Sequence, residues 1–516
     1  MIAHTFPSIA INDLPTDVPA ILELLADTHP TMALALVHAL DGADTLALRG
    51  TANHLLEALA NDSRLDREVD DVVARAASAQ EMFENWTDER IDGLLLDLAK
   101  ALAQSAKELA IATVRETGMG NVADKTRKNR FASLRIYASL AGKTAQGSLS
   151  FDADRQVTEL ASPVGVVFAV APVTNPVATA MFKTLIAVKS RNAVILSFHH
   201  QALGVGRQTV GIVRDVLQAH GAPVDLVQCV ERPSRKTSRR FMRHPGVALV
   251  LATGSRALVE AAYSSGTPAI GVGPGNAPAW ICADADVDGA ARAIVASKTF
   301  DNGLVCGAEH SLVVDSRVAL PVAAALMRHR AAILTPDEER RFMAQAVDGK
   351  AGTLRRGFVG QSAKTIAAAL GIVRPYPLRL LIVRTTFPPS DAFYSGEKLA
   401  PVLSMFSVAG EDEGLRLCQT LLKIAGAGHT AVIHTTNAAR VERFARAMPA
   451  GRILVNSSAA QGCCGMTTGL DCSLTLGCGT FGGNSTTDNV TYRHLLNIKR
   501  VAYELDRTSD HELRSQ

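Results

Sequence analysis

Between residues 164 and 264, short apolar runs rich in β-branched side chains alternate with helical stretches, and that alternation leaves few folds open. The runs 164–170, 193–196, 226–230 and 247–251 read as strands; 177–188, 202–220, 234–243 and 255–264 read as helices, the second closed by Gly221. Strands that are apolar on both faces and separated by helices pair in parallel and are covered on both sides. The expected form is a doubly wound nucleotide-binding sheet with its ligand at the carboxyl ends of the strands. The pattern resumes with a strand at 311–314, a helix at 318–328 and strands near 431–434 and 453–455, which implies a second α/β domain.

With 516 residues, 47% of them hydrophobic, the chain fills two or three cores, so several domains are expected. Lys and Arg number 53 against 50 Asp and Glu, a balance that gives no general reason to invoke nucleic acid or membrane. No apolar run reaches the roughly 20 residues of a membrane helix, and the start MIAHTFPSIAINDLP lacks the basic-then-apolar order of a signal peptide. A cytoplasmic protein is expected. The eight cysteines (229, 282, 306, 418, 463, 464, 472 and 478) form no C-x-x-C pair and no zinc spacing, so reduced thiols and no metal site are expected.

Residues 1–64 show short leucine-rich helical patterns, such as Ile21, Leu22, Leu24 and Leu25, broken at Pro30 and Gly42. They read as a packing extension or as a targeting or encapsulation segment. Thr87 is placed to cap a helix with Asp88 and Glu89 in its first turn, and Ile91, Leu94, Leu95, Leu98 and Leu102 continue at helical spacing toward Gly118, predicting one long amphipathic helix. From 148 to 163 the period shifts toward two, the mark of strands.

In SKTFDNGLVCGAEHSLVVD, residues 297–315, a helical run ends at Asn302 and Gly303 and leaves Cys306 on the connection to the next strand. A cysteine flanked by Gly303 and Gly307 lets a carbonyl approach the backbone, and its own N–H can donate to the oxyanion that attack creates. The alternative is a small buried apolar side chain. No G-x-G-x-x-G follows a strand, and Gly204 with Gly206 lies too far into its segment. Thr253, Gly254 and Ser255 instead stand where a strand end opens a helix, a geometry whose free N–H groups suit a phosphate; an ordinary serine-capped turn is the alternative.

VASKTFDNGLVC resembles the catalytic segment of the aldehyde dehydrogenase superfamily, in particular its CoA-acylating, acetaldehyde and sulfoacetaldehyde dehydrogenase-like branch. The resemblance continues through ASPVGVVFAVAPVTNPVATAMFKTLIAVKSRNAVILS, YSSGTPAIGVGPGN and LTLGCGTFGGNSTTDNVTYRHLLNIKR, from about residue 66 to about 502. It implies Cys306 as nucleophile. Gly254 and Ser255, with Thr253 before them and Gly273 beyond, are implied contacts of NAD or NADP. The loop holding Pro172, Thr174 and Asn175 corresponds to P-W-N-F-P, whose asparagine donates to the oxyanion: Asn175 is the candidate, Thr174 the alternative donor, and either residue alternatively caps the next helix. Glu397 stands where E-x-F-G-P-V places a glutamate on the nicotinamide ribose, although Leu399 and Ala400 depart from that motif. His429, in GHTAV, recurs in acylating members, near the thiol or in a structural role.

Hydrolytic members carry a general-base glutamate in E-L-G-G-K; alignment puts Val272 there, and no acidic residue lies between Tyr263 and Cys282. A thiol, coenzyme A, is then expected to take the acyl group. Where those members place M-K-P-A-E on the adenosine ribose, this chain has Ser197 and His200, so no carboxylate opposes a 2′-phosphate. Arg232, Arg235, Lys236, Arg239, Arg240 and Arg243 crowd the helix after the third strand, as a solvated basic face or as a seat for a phosphate of NADP or CoA.

The expected whole is α/β: an extension (1–65), a doubly wound parallel-sheet nucleotide-binding domain (66–301, with 145–162 in an oligomerisation element), a second α/β catalytic domain (302–456) and a return segment with an oligomerisation strand near 489–498 and a tail (457–516). The resemblance implies a homo-oligomer, dimer or tetramer, acting on a small aldehyde with CoA and NAD(P), without the alcohol dehydrogenase half of bifunctional relatives. An acidic aldehyde as substrate, a hydrolytic enzyme and a non-catalytic scaffold are the competing readings.

Overall fold

The computed structural model describes residues 45–385 and 392–505, with side chains from residue 62 onward. The leucine-rich patterns around Pro30 and Gly42 and the tail beyond 505 lie outside the described residues. The chain divides into two compact units, Met1–Val72 and Val73–Gln516. The described part of the first is the beginning of helix α1 (Thr45–Phe83), and among the described residues the sheets all belong to the second.

Thr87 caps α2 (Asp88–Gln104), its hydroxyl accepting the Arg90 N–H, and Ile91, Leu94, Leu95, Leu98 and Leu102 are buried. The predicted long helix is in fact two. At Ser105 the backbone turns to φ −79 and ψ −2, and α3 (Ala106–Thr117) restarts before ending on left-handed Gly118. Ser105 N–H still reaches Ala101 O, so the buried stripe runs on across the break and periodicity does not register it. Asn121 then caps α4 (Val122–Arg130), accepting the Asp124 N–H at 2.9 Å.

Strands β1 (Gly147–Asp152) and β2 (Val157–Pro163) pair antiparallel. They precede the first parallel sheet, made of β3 (Val166–Ala171), β4 (Ala193–Phe198), β5 (Val227–Cys229), β6 (Leu249–Thr253) and β7 (Ala269–Val272) in the spatial order β5-β4-β3-β6-β7. Its crossovers are α5 (Pro176–Lys189), buried along its whole length, α6 (Leu203–Ala219), α7 (Arg235–Arg243) and α8 (Arg256–Tyr263). Gly206 belongs inside α6, where a Cβ would lie 2.5 Å from the Phe198 ring; that glycine serves helix packing.

From β7 the chain passes through residues 273–276 into β8 (Ala277–Ile281), in the second parallel sheet. After helix α9 (Val287–Thr299) come β9 (Glu309–Asp315), β10 (Ala331–Ile333), the hairpin β11 (Val347–Asp348) and β12 (Thr353–Leu354), β13 (Leu380–Arg384), β14 (Val402–Val408), β15 (Gly428–His434) and β16 (Ala450–Val455). The sheet order is β10-β13-β14-β9-β8-β15-β16, with β8 and β9 near its centre. Strand β17 (Leu496–Ala502) returns to β2 antiparallel. It begins later than the sequence suggests, because Tyr492–Leu495 form a 3-10 turn locked by His494, whose Nδ1 accepts the Thr491 N–H at 3.1 Å. The two parallel sheets and the small antiparallel one match the expected α/β class.

Candidate active site

Asp301, Asn302 and Gly303, directly after α9, have φ of +48°, +54° and +74°. Left-handed backbone is costly for non-glycine residues, ~1–2 kcal/mol each, and persists only where surroundings impose it. Here they do. Asn302 Nδ2 donates to Gly120 O (3.1 Å) and Gly360 O (2.9 Å), while Asp301 N–H donates to Asp124 Oδ2 (2.9 Å) and Asp301 Oδ1 accepts Asn121 N–H (3.0 Å). A Cβ on Gly303 would meet Ala400 O at 2.6 Å. This clamped turn delivers Cys306 to the mouth of β9.

Cys306 is half-buried, and its backbone is pressed by Gly275, where a Cβ would stand 1.9 Å from Cys306 O. His429, at the start of β15, brings Nε2 to 3.3 Å from Cys306 Sγ; its Nδ1 lies 2.9 Å from Thr430 Oγ1. Burial pushes the thiol up to about 12, with Glu397 and Cys478 adding to the rise against Arg452. Burial also pushes His429 down to about 3, assisted by Arg452. At rest the pair is therefore neutral, thiol beside imidazole.

Glu397 is half-buried and its carboxylate accepts the Gly275 N–H; burial raises it to about 7, opposed by Lys298. Lys298 is itself fully buried, lowered to about 7 by desolvation, and 3.0 Å from His310 Nδ1. Glu397 thus belongs to a charged group behind Cys306, an environment its motif did not reveal.

Asn175 precedes α5 but makes no capping bond with its side chain. Its Nδ2 donates instead to Leu304 O at 3.2 Å, two residues before Cys306 in the chain, and its Oδ1 accepts from Lys128 Nζ. Thr174 Oγ1 lies 3.4 Å from Asn175 Nδ2, and Thr174 O accepts from Lys125. Pro172 is half-buried at the carboxyl end of β3.

Ser197 is buried at the end of β4 and His200 exposed beyond it. Thr253 closes β6 with its hydroxyl 3.5 Å from Thr475 Oγ1; Gly254 N–H donates to Val272 O; Ser255 caps α8 by accepting the Leu258 N–H at 3.4 Å. Gly273 faces open space, since a Cβ there would find nothing within 4 Å. Val272 is buried, and the segment touching Cys306 carries no carboxylate of its own. The basic helix divides by position. Arg235 opens α7 at the ligand edge of the sheet, whereas Arg239 and Arg243 line a cavity with Met242, Ala261, Ser264 and Ser265 at the last turns of α7 and α8, the opposite edge.

The fold therefore brings Cys306, His429, Asn175 and Glu397 to one place, and sets Pro172, Thr174, Ser197, Thr253, Gly254, Ser255 and Gly273 along the carboxyl ends of the first sheet. Lys128, Asp301 and Lys298 escaped sequence reading, for nothing in KTRKNR distinguishes an inward lysine from a solvated one. Among the described residues no group of His, Cys, Asp and Glu is arranged to hold a metal ion, and no helix is long and apolar enough to cross a membrane.

The bifunctional aldehyde-alcohol dehydrogenase AdhE of Escherichia coli is 38% identical over 451 residues, covering 86% of this chain; the chain spans 50% of that relative's length. The sulfoacetaldehyde dehydrogenase (acylating) of Cupriavidus necator is 38% identical over 441 residues, 84% of this chain and 88% of that one. The crystal structure of an acetylating aldehyde dehydrogenase from Geobacillus thermoglucosidasius superposes with a TM-score of 0.83 at 39% identity, covering 86% of this chain and 98% of that one. The profile of the aldehyde dehydrogenase family matches residues 60–493, and the chain belongs to that family.

Proposed function

We propose that the protein is a CoA-acylating aldehyde dehydrogenase, catalysing aldehyde + CoA + NAD(P)+ → acyl-CoA + NAD(P)H + H+ with Cys306 as nucleophile. The observation that carries this reading is the 3.3 Å contact between His429 Nε2 and Cys306 Sγ, beside a segment 271–277 that lacks a carboxylate. Relatives whose names read acylating and acetylating support it.

The residues present fit a dinucleotide. Gly273 leaves open space at the strand ends, Ser255 opens α8, and Ser197 adds no charge beneath a ribose. Pro172, Thr174, Ser197, Thr253, Gly254, Ser255, Gly273 and Glu397 would hold it. When bound, the nicotinamide supplies the hydride acceptor.

The thiol of Cys306 gives its proton toward Nε2 as sulfur bonds to the aldehyde carbon, so no free thiolate need persist in a site that disfavours one. Asn175 Nδ2 and the Cys306 N–H are the donors proposed for the resulting oxyanion. Loss of hydride leaves a thioester on Cys306. The proton left on Nε2 passes to solvent as the H+ of the overall reaction, so Nε2 is free to take the CoA thiol proton as the CoA sulfur attacks the acyl carbon, and it returns that proton to the Cys306 sulfur as the latter leaves. With Val272 in place of a carboxylate, water has no such partner on that segment.

NADH formation measured with and without CoA, over neutral and acidic aldehydes, tests the reading. Steady turnover requires CoA; sustained CoA-independent acid production would overturn it, and preference for a sulfonated or carboxylated aldehyde would favour an acidic substrate.

We infer further that the five-stranded sheet serves the nucleotide and the seven-stranded sheet the chemistry, along the divisions 66–301, 302–456 and 457–516, with 1–65 as an extension. The exposed β1-β2-β17 sheet supports association into a homo-oligomer, and a cytoplasmic location accords with eight free thiols.

A further inference from the structure

We infer that Lys128, anchored by Asp301, is a positioning residue for Asn175: it fixes which way the carboxamide faces and so aims its N–H at the oxyanion. This rests on the reading of Asn175 as oxyanion donor. Lys128 is 5% exposed and Asp301 fully buried, and their ion pair forms between α4 and the left-handed turn that delivers Cys306. The same Nζ meets Asn175 Oδ1.

A carboxamide has a donor end and an acceptor end of nearly equal size, so its orientation is set by partners. An ammonium is donor only. Flipping Asn175 would set NH2 against NH3+ and withdraw the hydrogens from Leu304 O, 3.2 Å away in the existing orientation. The cation thus leaves a single arrangement, with Nδ2 toward the nucleophile segment.

Charge balance alone does not account for Lys128. Lys125 already pairs with Asp301 Oδ2 at 3.0 Å and also donates to Thr174 O at 3.1 Å. Two ammonium groups therefore share one carboxylate, and the surplus positive charge lies at the acceptor end of Asn175. In a low-dielectric site that polarises the amide and strengthens its N–H as donor. Burying like charges so close is costly, as the lowering of Lys125 to about 8 by desolvation and by Lys128 indicates. Because Asp301 shares its turn with the approach to Cys306, nucleophile and oxyanion donor are set by one network.

The test uses the full-length enzyme with NAD(P)+, CoA and its preferred aldehyde, reading the single-turnover NADH burst rate, KM for nucleotide and CoA, and the unfolding midpoint for Asn175→Ala, Lys128→Met and the double variant. Asn175→Ala is expected to slow the burst by ~10²-fold, the usual cost of one oxyanion donor. Lys128→Met is expected to slow it by about tenfold or more with both KM values within about twofold, and the double variant to be no more than about threefold slower than Asn175→Ala. Asn175→Ala at the wild-type rate would remove the oxyanion reading itself. A slow Asn175→Ala with a fast Lys128→Met would remove only the positioning role, as would losses that multiply in the double variant. If Lys128→Met does not fold, Asp301→Asn, which keeps a left-handed former and the acceptor for Asn121 N–H, carries the same cycle: loss masked by Asn175→Ala supports the role, and full multiplication overturns it.

Discussion

The imidazole of His429 and the thiol of Cys306 come from segments 123 positions apart and meet at 3.3 Å, both uncharged at neutral pH. His429→Ala removes the imidazole that the proposed mechanism uses as its proton acceptor. The steady-state rate is expected to fall by ~10²-fold or more. Because Nε2 also takes the Cys306 proton in the proposed first half-reaction, the NADH burst should slow as well, which rapid-mixing fluorescence resolves; an unchanged burst would confine His429 to the CoA half-reaction.

Cys306→Ala should abolish acyl-CoA formation. Nucleotide binding, measured by fluorescence titration, should stay near wild type, because the proposed nucleotide contacts lie on the other sheet or, for Glu397, are held by the Gly275 N–H. Measurable turnover would exclude Cys306 as nucleophile.

Gly275→Ala would drive a Cβ to 1.9 Å from the Cys306 carbonyl oxygen, backbone against backbone, where no rotamer relieves it. Overpacking of this kind costs ~1–3 kcal/mol, and the catalytic rate should fall with it since the displaced atom belongs to Cys306, the proposed nucleophile. Denaturant unfolding and kcat on one preparation check both; Gly273→Ala, which meets nothing, is the control for stability.

Acid should weaken the fold through His429. Its folded pKa is depressed from 6.5 to about 3, so its contribution is present above 6.5 and is lost as pH falls toward 3, because the unfolded chain takes up the proton first. The difference in unfolding free energy between wild type and His429→Gln should shrink by up to ~1.4 kcal/mol per pH unit across that window. A difference that does not change between pH 6.5 and 4.5 would contradict the burial of a neutral imidazole.

Strand and helix positions of the first sheet were legible because each run is apolar and punctuated: 193–196 became Ala193–Phe198 and 234–243 became Arg235–Arg243. The break at Ser105 and the late start of β17 at Leu496 were not, since neither interrupts the apolar pattern. At the site, Cys306 was marked by its glycines. Lys128 and Asp301 carried no mark, because a buried ion pair exists only once two segments 173 positions apart have met, and until then each charge reads as solvent-facing. Glu397 was found by motif, yet its place among Lys298, Gly275 and Cys306 belongs to the tertiary fold.

Residues 273–276 leave one sheet, enter the other and rest on Cys306 as they pass. A tether so short has no slack. A displacement of the first sheet against the second would reach the carbonyl beside the sulfur through Gly275, which couples the spacing of the two sheets to the placement of Cys306.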